Sequence, residues 1–254
     1  MMSYNLDNEI ERRATKSVYR DNDSIIKLFV ENYSKADILN EALILSRVEE
    51  GCDLNIPKLK EVTKIGNRWG LVTEYVEGES LQELMDKNPD KLDYYLETFV
   101  DIQLEVLSRS VPLLNKINDK YARKLNQTDL IDENTKYELL QRLDGMKNHT
   151  KLCHGDFDPS NIIIGKDGKH YIVDWAHATI GNASADAART FLIFSIGGKN
   201  DLANKYLDLF SKKSDISKSN IQRWIPIVAA TQMVQGNKDE QEMLGKWIDV
   251  VEYE

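Results

Sequence analysis

The sequence predicts an α+β chain in two lobes: a small N-terminal antiparallel β lobe carrying one helix, then a larger, mainly helical C-terminal lobe interrupted by one hairpin. Three observations support this. Strand-type segments separated by turn residues crowd into the first eighty residues, apolar residues recur at helical spacing over most of the remainder, and one β pattern at 152–174 breaks the helical run. A boundary near residue 76 divides the chain into 1–76 and 77–254, with no internal repeat, low-complexity tract or long linker.

Ser17-Val18-Tyr19-Arg20 and Ser24-Ile25-Ile26-Lys27-Leu28-Phe29 flank Asp21-Asn22-Asp23, a hairpin signature. Residues 36–48 place apolar side chains at helical spacing. Two further strands are expected at Leu59 to Thr63 and Gly70 to Tyr75, joined by a polar turn at Gly66-Asn67-Arg68. Ser80 and Glu83 then fit a capping box that opens a helix. Amphipathic helices are expected at 92–108 and 132–144, the hairpin at 152–174, and further helices at 186–195, 200–211, 219–235 and 239–251.

With 254 residues the chain can bury a full core. Its 42 acidic against 33 basic side chains give a net charge of −9, which repels nucleic acid and disfavours anionic membrane surfaces. No apolar run approaches the roughly 20 residues that span a bilayer. Cys52 and Cys153 stand in unrelated contexts, without a C-x-x-C pair, so a cytoplasmic setting is expected.

The chemistry concentrates in His154-Gly155-Asp156, Asn161 and Val173-Asp174-Trp175. Asn161 lies five residues after Asp156, and Asp174 thirteen after Asn161. That spacing suits a loop, a strand, a tight turn and a return strand. Asp156 can then face a substrate hydroxyl as general base, while Asn161 and Asp174 offer one neutral and one anionic oxygen to Mg²⁺. Lys27 sits in an apolar strand, where an ammonium needs a partner.

In this order and at this spacing the motifs resemble the aminoglycoside phosphotransferase and choline kinase superfamily over nearly the whole chain. Ile26-Lys27-Leu28, Asn40-Glu41-Ala42 and Arg223-Trp224-Ile225-Pro226 add weaker support. The resemblance implies a bilobal protein-kinase-like fold, with residues 1–76 as nucleotide-binding lobe and 77–254 as catalytic and substrate lobe. It gives Lys27 two partners, the phosphates of ATP and a helix carboxylate. Glu41 is best placed for the latter, with Asp37, Glu49 and Glu50 nearby in sequence. Glu74-Tyr75-Val76 would be the adenine hinge, through the backbone of Glu74 and Val76. His154 would hold the loop and leave the chemistry to Asp156.

One departure stands out. The family usually covers the phosphates with a loop of small residues, often glycine, but residues 9–16 read Glu-Ile-Glu-Arg-Arg-Ala-Thr-Lys. The Thr15 hydroxyl and neighbouring amides are left to do this, and the absence of any G-x-x-x-x-G-K-[ST] excludes a P-loop NTPase. Asp158, where relatives often carry His, is a candidate acceptor contact; Asp186 reads first as a helix N-cap.

The expected activity is ATP-dependent and Mg²⁺-requiring transfer of the γ-phosphoryl group to a hydroxyl of a small molecule, as in aminoglycoside phosphotransferases. Choline or ethanolamine, sugar and amino-acid kinases share the scaffold. A nucleotide-binding pseudoenzyme and a metal-dependent hydrolase are the competing readings. The net charge and Asp158 favour a cationic or strongly polar acceptor. No nucleic-acid or membrane partner is expected, and the chain is expected to be a monomer or weak dimer.

Overall fold

The computed structural model describes residues 4–234 and 238–248. They form two compact units, one running to Asn88 and including Pro159–His177, the other comprising Pro89–Asp158 and the chain from Ala178 onward. The first unit therefore takes in more than the first seventy-six residues: it also holds the hairpin that carries Asn161 and Asp174.

The first unit begins with strands β1 (Glu9–Arg12), β2 (Lys16–Asp21) and β3 (Ser24–Phe29). Asn22 turns the β2–β3 hairpin at φ 52°, a conformation asparagine tolerates better than most residues. Helix α1 (Lys35–Gly51) follows, its N-terminus capped where the Ser34 hydroxyl accepts from the Asp37 amide. Strands β4 (Leu59–Ile65) and β5 (Arg68–Glu74) complete an antiparallel five-stranded sheet of order β1-β2-β3-β5-β4. Tyr19, Ile26, Leu28 and Val72 form its buried apolar face. Alternation along β3 sends Lys27 to the opposite face.

β6 (Gly78–Ser80) leads into α2 (Leu81–Lys87), where Ser80 and Glu83 form the expected capping box. The second unit then opens with α3 (Leu92–Leu107), α4 (Ile117–Gln127), α5 (Glu133–Asp144) and β7 (Lys151–Cys153). The chain returns to the first unit for β8 (Ile162–Gly165) and β9 (His170–Ile172), which join β6 in a sheet of order β6-β8-β9. Gly78 permits this close pairing, since a Cβ there would come within 2.2 Å of the Ile164 carbonyl oxygen.

The second unit resumes with β10 (Thr179–Gly181), paired with β7, then α6 (Ala183–Ile196), α7 (Asn200–Ser214), α8 (Lys218–Gln222), α9 (Ile225–Met233) and α10 (Lys238–Gly245). Its core stacks Phe99 against Phe157, Phe194 and Tyr206, with ring centroids 4.9, 5.8 and 6.0 Å apart. Among the described residues no helix is long and apolar enough to cross a membrane.

Three expectations are revised. β1 occupies the stretch expected to be only a phosphate-covering loop, so Arg13, Ala14 and Thr15 form a tight connection closed by the Arg13 amide donating to the Lys16 carbonyl (2.8 Å). Helix α4 was not expected. Its buried stripe is a single row, Ile117, Tyr121 and Leu125, on an otherwise polar segment without a capping side chain. The helix expected at 219–235 divides into α8 and α9 because Pro226, which lacks an amide hydrogen, is accommodated only in a first turn. Residue 235 and the end of the helix expected at 239–251 lie outside the described residues.

Candidate active site

The first unit encloses a cavity of about 630 Å³ lined entirely by its own residues. Val18 and Leu71 give it apolar walls, Glu74, Tyr75 and Val76 border it where β5 ends, and Lys27, Glu41, Asn161 and Asp174 supply its charged and polar groups. Lys27 Nζ donates to Glu41 Oε1 at 2.5 Å and to Asp174 Oδ1 at 3.0 Å. The Lys27 side chain is only 14% exposed. Burial by itself would lower its pKa, but the carboxylates of Asp174 and Glu41 outweigh that and hold it above the ordinary lysine value.

Glu41 reaches this position from α1, one turn beyond buried Ile38 and next to buried Ala42. Asp174 follows β9 with φ 59°, the left-handed region that a non-glycine residue occupies at a cost. Asn161 ends the short 3₁₀ turn Pro159–Asn161, and its carbonyl accepts from the Val173 amide at 3.0 Å. The two candidate metal ligands are thus neighbours across the mouth of the β8–β9 hairpin. An amide oxygen and a carboxylate suit Mg²⁺, which takes few protein ligands and keeps the rest for phosphate and water.

Asp174 has a second cationic neighbour: Lys16 Nζ lies 3.6 Å from Oδ2. Burial and the nearby Lys27 charge push the Lys16 pKa down, with Asp174 and Glu41 opposing. The connection between β1 and β2 reaches the cavity through Glu11 and Arg13, not Thr15, which is exposed; the Thr15 carbonyl accepts from the Val30 amide.

In the second unit, one helix fixes the His154–Phe157 loop. Asp186 Oδ1 on α6 accepts from the Gly155 amide at 2.7 Å, Arg189 Nη2 donates to Asp156 Oδ1 at 2.8 Å, and Thr190 Oγ1 donates to the Phe157 carbonyl at 2.9 Å. Gly155 has φ 79°, so glycine suits this turn. Buried Gln103 braces the array, donating to Asp186 and Thr190 and accepting from the Tyr206 hydroxyl. Burial raises the Asp186 pKa against the lowering effect of its hydrogen bonds. His154 is buried, and its Nδ1 accepts from the Asp156 amide at 3.3 Å. Asp158, half-buried, follows the buried Phe157.

The sequence model of the phosphotransferase enzyme family matches residues 10–215. The chain belongs to that family. Its fold is that of aminoglycoside phosphotransferase APH(4)-Ia, whose thermostable mutant in ternary complex with ADP and hygromycin B superposes with TM-score 0.70 at 11% identity, covering 94% of this chain and 90% of the other. An aminoglycoside-3'-phosphotransferase of type VIII gives 0.63 at 15% identity, with 90% and 93% covered. Choline kinase LicA from Streptococcus pneumoniae gives 0.62 at 13% identity, with 97% and 93% covered. No curated protein gives a significant sequence match.

Several polar residues of this phosphotransferase escape a linear reading of the sequence. Asp186 is not the N-cap of α6, a role filled by Asn182, but the acceptor that shapes the loop before Asp156. Asp186 and Arg189 are three residues apart and share a helix face, a pattern that could have marked them as a pair. Lys120 and Lys124 stand one turn apart on the unexpected α4. Burial, with Lys124 and Arg123 nearby, pushes the Lys120 pKa down to about 7, and burial with Arg189 nearby takes Lys124 to about 8.

Proposed function

We propose that the chain is an ATP-dependent, Mg²⁺-requiring kinase that phosphorylates a hydroxyl of a small molecule. The observation that carries this is the Lys27–Glu41–Asp174 ion network in a cavity large enough for a nucleotide. A lysine aligned by one carboxylate beside a second that can bind a cation is a suitable arrangement for phosphates. The ADP and hygromycin B held by the related APH(4)-Ia mutant support the same assignment.

In this reading Lys27, aligned by Glu41, contacts the ATP phosphates, and Asn161 with Asp174 holds Mg²⁺, which supplies charge neutralisation when bound. The adenine edge meets backbone groups of Glu74 and Val76; the Tyr75 amide already donates to the Asp23 carbonyl at 2.8 Å. Thr15 would serve the phosphates only through its backbone connection. Asp156 takes the proton of the acceptor hydroxyl as its oxygen forms a bond to the γ-phosphorus. The bridging P–O bond breaks with its electron pair on ADP, and the proton passes from Asp156 to solvent. Asp158 is assigned to the acceptor side. The first unit is thus the nucleotide unit and the second the acceptor unit.

The test is ATP consumption by the full chain across hydroxyl acceptors, with and without Mg²⁺, alongside calorimetric titration of Mg·ADP. Acceptor-stimulated ADP release that requires Mg²⁺ is expected. Phosphate release equally fast without any acceptor would replace the kinase by a hydrolase.

A further inference from the structure

We propose that Lys16 is a second phosphate-contacting lysine of the nucleotide cavity, released from Asp174 to the nucleotide's phosphate chain when that carboxylate takes a divalent cation. The contact rests on the kinase reading and adds to it a residue from the strand that follows the glycine-free connection.

The geometry begins with the register of β2 and β3. Val18 stands opposite Lys27, and Lys16 opposite Phe29. Residues opposite one another across an antiparallel pair share a face, as do residues two apart on one strand, so Lys16, Val18 and Lys27 project from the same face of the sheet. Val18 and Lys27 line the cavity from that face. Lys16 stands at its edge: its side chain is 15% exposed, and its Nζ lies 3.6 Å from Asp174 Oδ2, while Lys27 Nζ lies 3.0 Å from Oδ1. One carboxylate of the cavity thus carries an ammonium on each oxygen.

The two ammoniums are not held alike. Lys27 also donates to Glu41 at 2.5 Å and keeps that partner when Asp174 is engaged elsewhere. The Lys16 pair is too long for a hydrogen bond, and among the described residues no carboxylate other than Asp174 forms an ion pair with Lys16. A carboxylate is attracted more strongly by a dication than by an ammonium, so cation binding at Asp174 displaces the looser pair first. Lys16 is then an ammonium with little access to water and without its counterion, an unfavourable state. Phosphate oxygens beside the same cation relieve it. The adjoining backbone is less available to them, since the Arg13 amide is turned onto the Lys16 carbonyl at 2.8 Å. A flexible ammonium at the start of β2 supplies, on this side of the cavity, a donor that this amide withholds.

The test is calorimetry on the full chain in the presence of Mg²⁺, with adenosine, ADP, AMP-PNP and inorganic tripolyphosphate as probes. Lys16→Met, which keeps an unbranched side chain and removes its charge, is expected to raise the Kd of AMP-PNP and of tripolyphosphate about tenfold, as loss of a hydrogen bond between charged groups does, and to leave that of adenosine within about twofold. Lys16→Arg should retain most of the wild-type affinity. An AMP-PNP Kd unchanged by Lys16→Met would overturn the proposal and leave Lys27, Asp174 and the kinase reading in place. Equal weakening of adenosine and AMP-PNP would overturn it too, because a lysine that only supports the strand has no preference for phosphate. If AMP-PNP bound no more tightly than tripolyphosphate and adenosine not at all, Lys16-dependent binding of tripolyphosphate would uphold the phosphate contact and remove the ATP reading. Binding of none of the four probes by the wild type would remove both.

Discussion

The two units treat buried positive charge in opposite ways. In the first, Lys27 is held by two carboxylates at 2.5 and 3.0 Å, and its pKa rises. In the second, Lys120 and Lys124 stand one turn apart on α4, and burial takes their pKa values down to about 7 and about 8. The first arrangement is satisfied within the protein and can be preformed before any ligand arrives. In the second, burial is the largest influence, and it disfavours the charged form of both lysines. A buried ammonium is thus kept in two ways: Lys27 by direct pairing with Glu41 and Asp174, and Lys120 at a cost set first by burial.

The most severe way to break this comparison is to remove the second unit's candidate base. Asp156→Asn is expected to lower turnover by about three orders of magnitude or more, with Mg·ATP affinity unchanged within about threefold. Single-turnover kinetics beside calorimetric ADP titration separate the two effects. Near wild-type turnover would remove Asp156 as the base.

Next in size is the loss of the first unit's anionic ligand. Asp174→Ala should eliminate the Mg²⁺ dependence of nucleotide binding, whereas Asn161→Ala should only raise the Mg²⁺ concentration required, because a carboxylate attracts a dication more strongly than an amide oxygen does. Titrating Mg²⁺ against ADP binding in both variants checks the ordering; an equal, negligible response in both would remove the metal site.

A smaller effect should follow from removing the brace under Asp156. Asp186→Ala leaves the Gly155 amide and the Gln103 side-chain amide without their carboxylate acceptor, and unsatisfied buried groups of this kind cost about 1–3 kcal/mol each. The urea midpoint should drop and kcat should fall while Mg·ADP affinity is retained. Asp186→Asn, which keeps an acceptor oxygen, should recover much of both.

Much of this architecture was legible because local chemistry dictates it. The Asn22 turn, the Ser80–Glu83 capping box and the alternation that isolates Lys27 each act over a few residues. The proximity of Asn161 to Asp174 follows from hairpin register, whereas the choice of Glu41 over Asp37, Glu49 and Glu50 as the partner of Lys27 rested on the family resemblance. The rest depends on distant packing. Lys16 reads as an ordinary strand-entry lysine until Asp174, far along the chain, comes within 3.6 Å. Asp186 resembles a cap in sequence, and only the folded loop reveals the Gly155 amide as its target. Lys120 and Lys124 went unnoticed because α4 is polar overall and its apolar stripe is one residue wide.

The smallest expected effect is the sharpest test of the contrast between the units. The Lys120 pKa falls to about 7 in the folded protein, against about 10.4 for an exposed lysine. Between these values the unfolded chain binds more protons than the native one, so Lys120's contribution makes stability rise with pH through that window. Below pH 7 its destabilising effect is complete; above the unfolded value it is gone. Burial maintains the effect first, with Lys124 and Arg123 on α4 and Arg189 on α6 adding to it, and Asp156 opposes it. Lys120→Met should therefore raise Tm at pH 6 in a buffer free of phosphate and carboxylate, and the gain should shrink steadily toward pH 10. Lys27→Met, which strips Glu41 and Asp174 of their shared cation, should lower Tm instead. A Tm difference for Lys120→Met that is negative at pH 6, or independent of pH, would show that the second unit neutralises its cations as fully as the first.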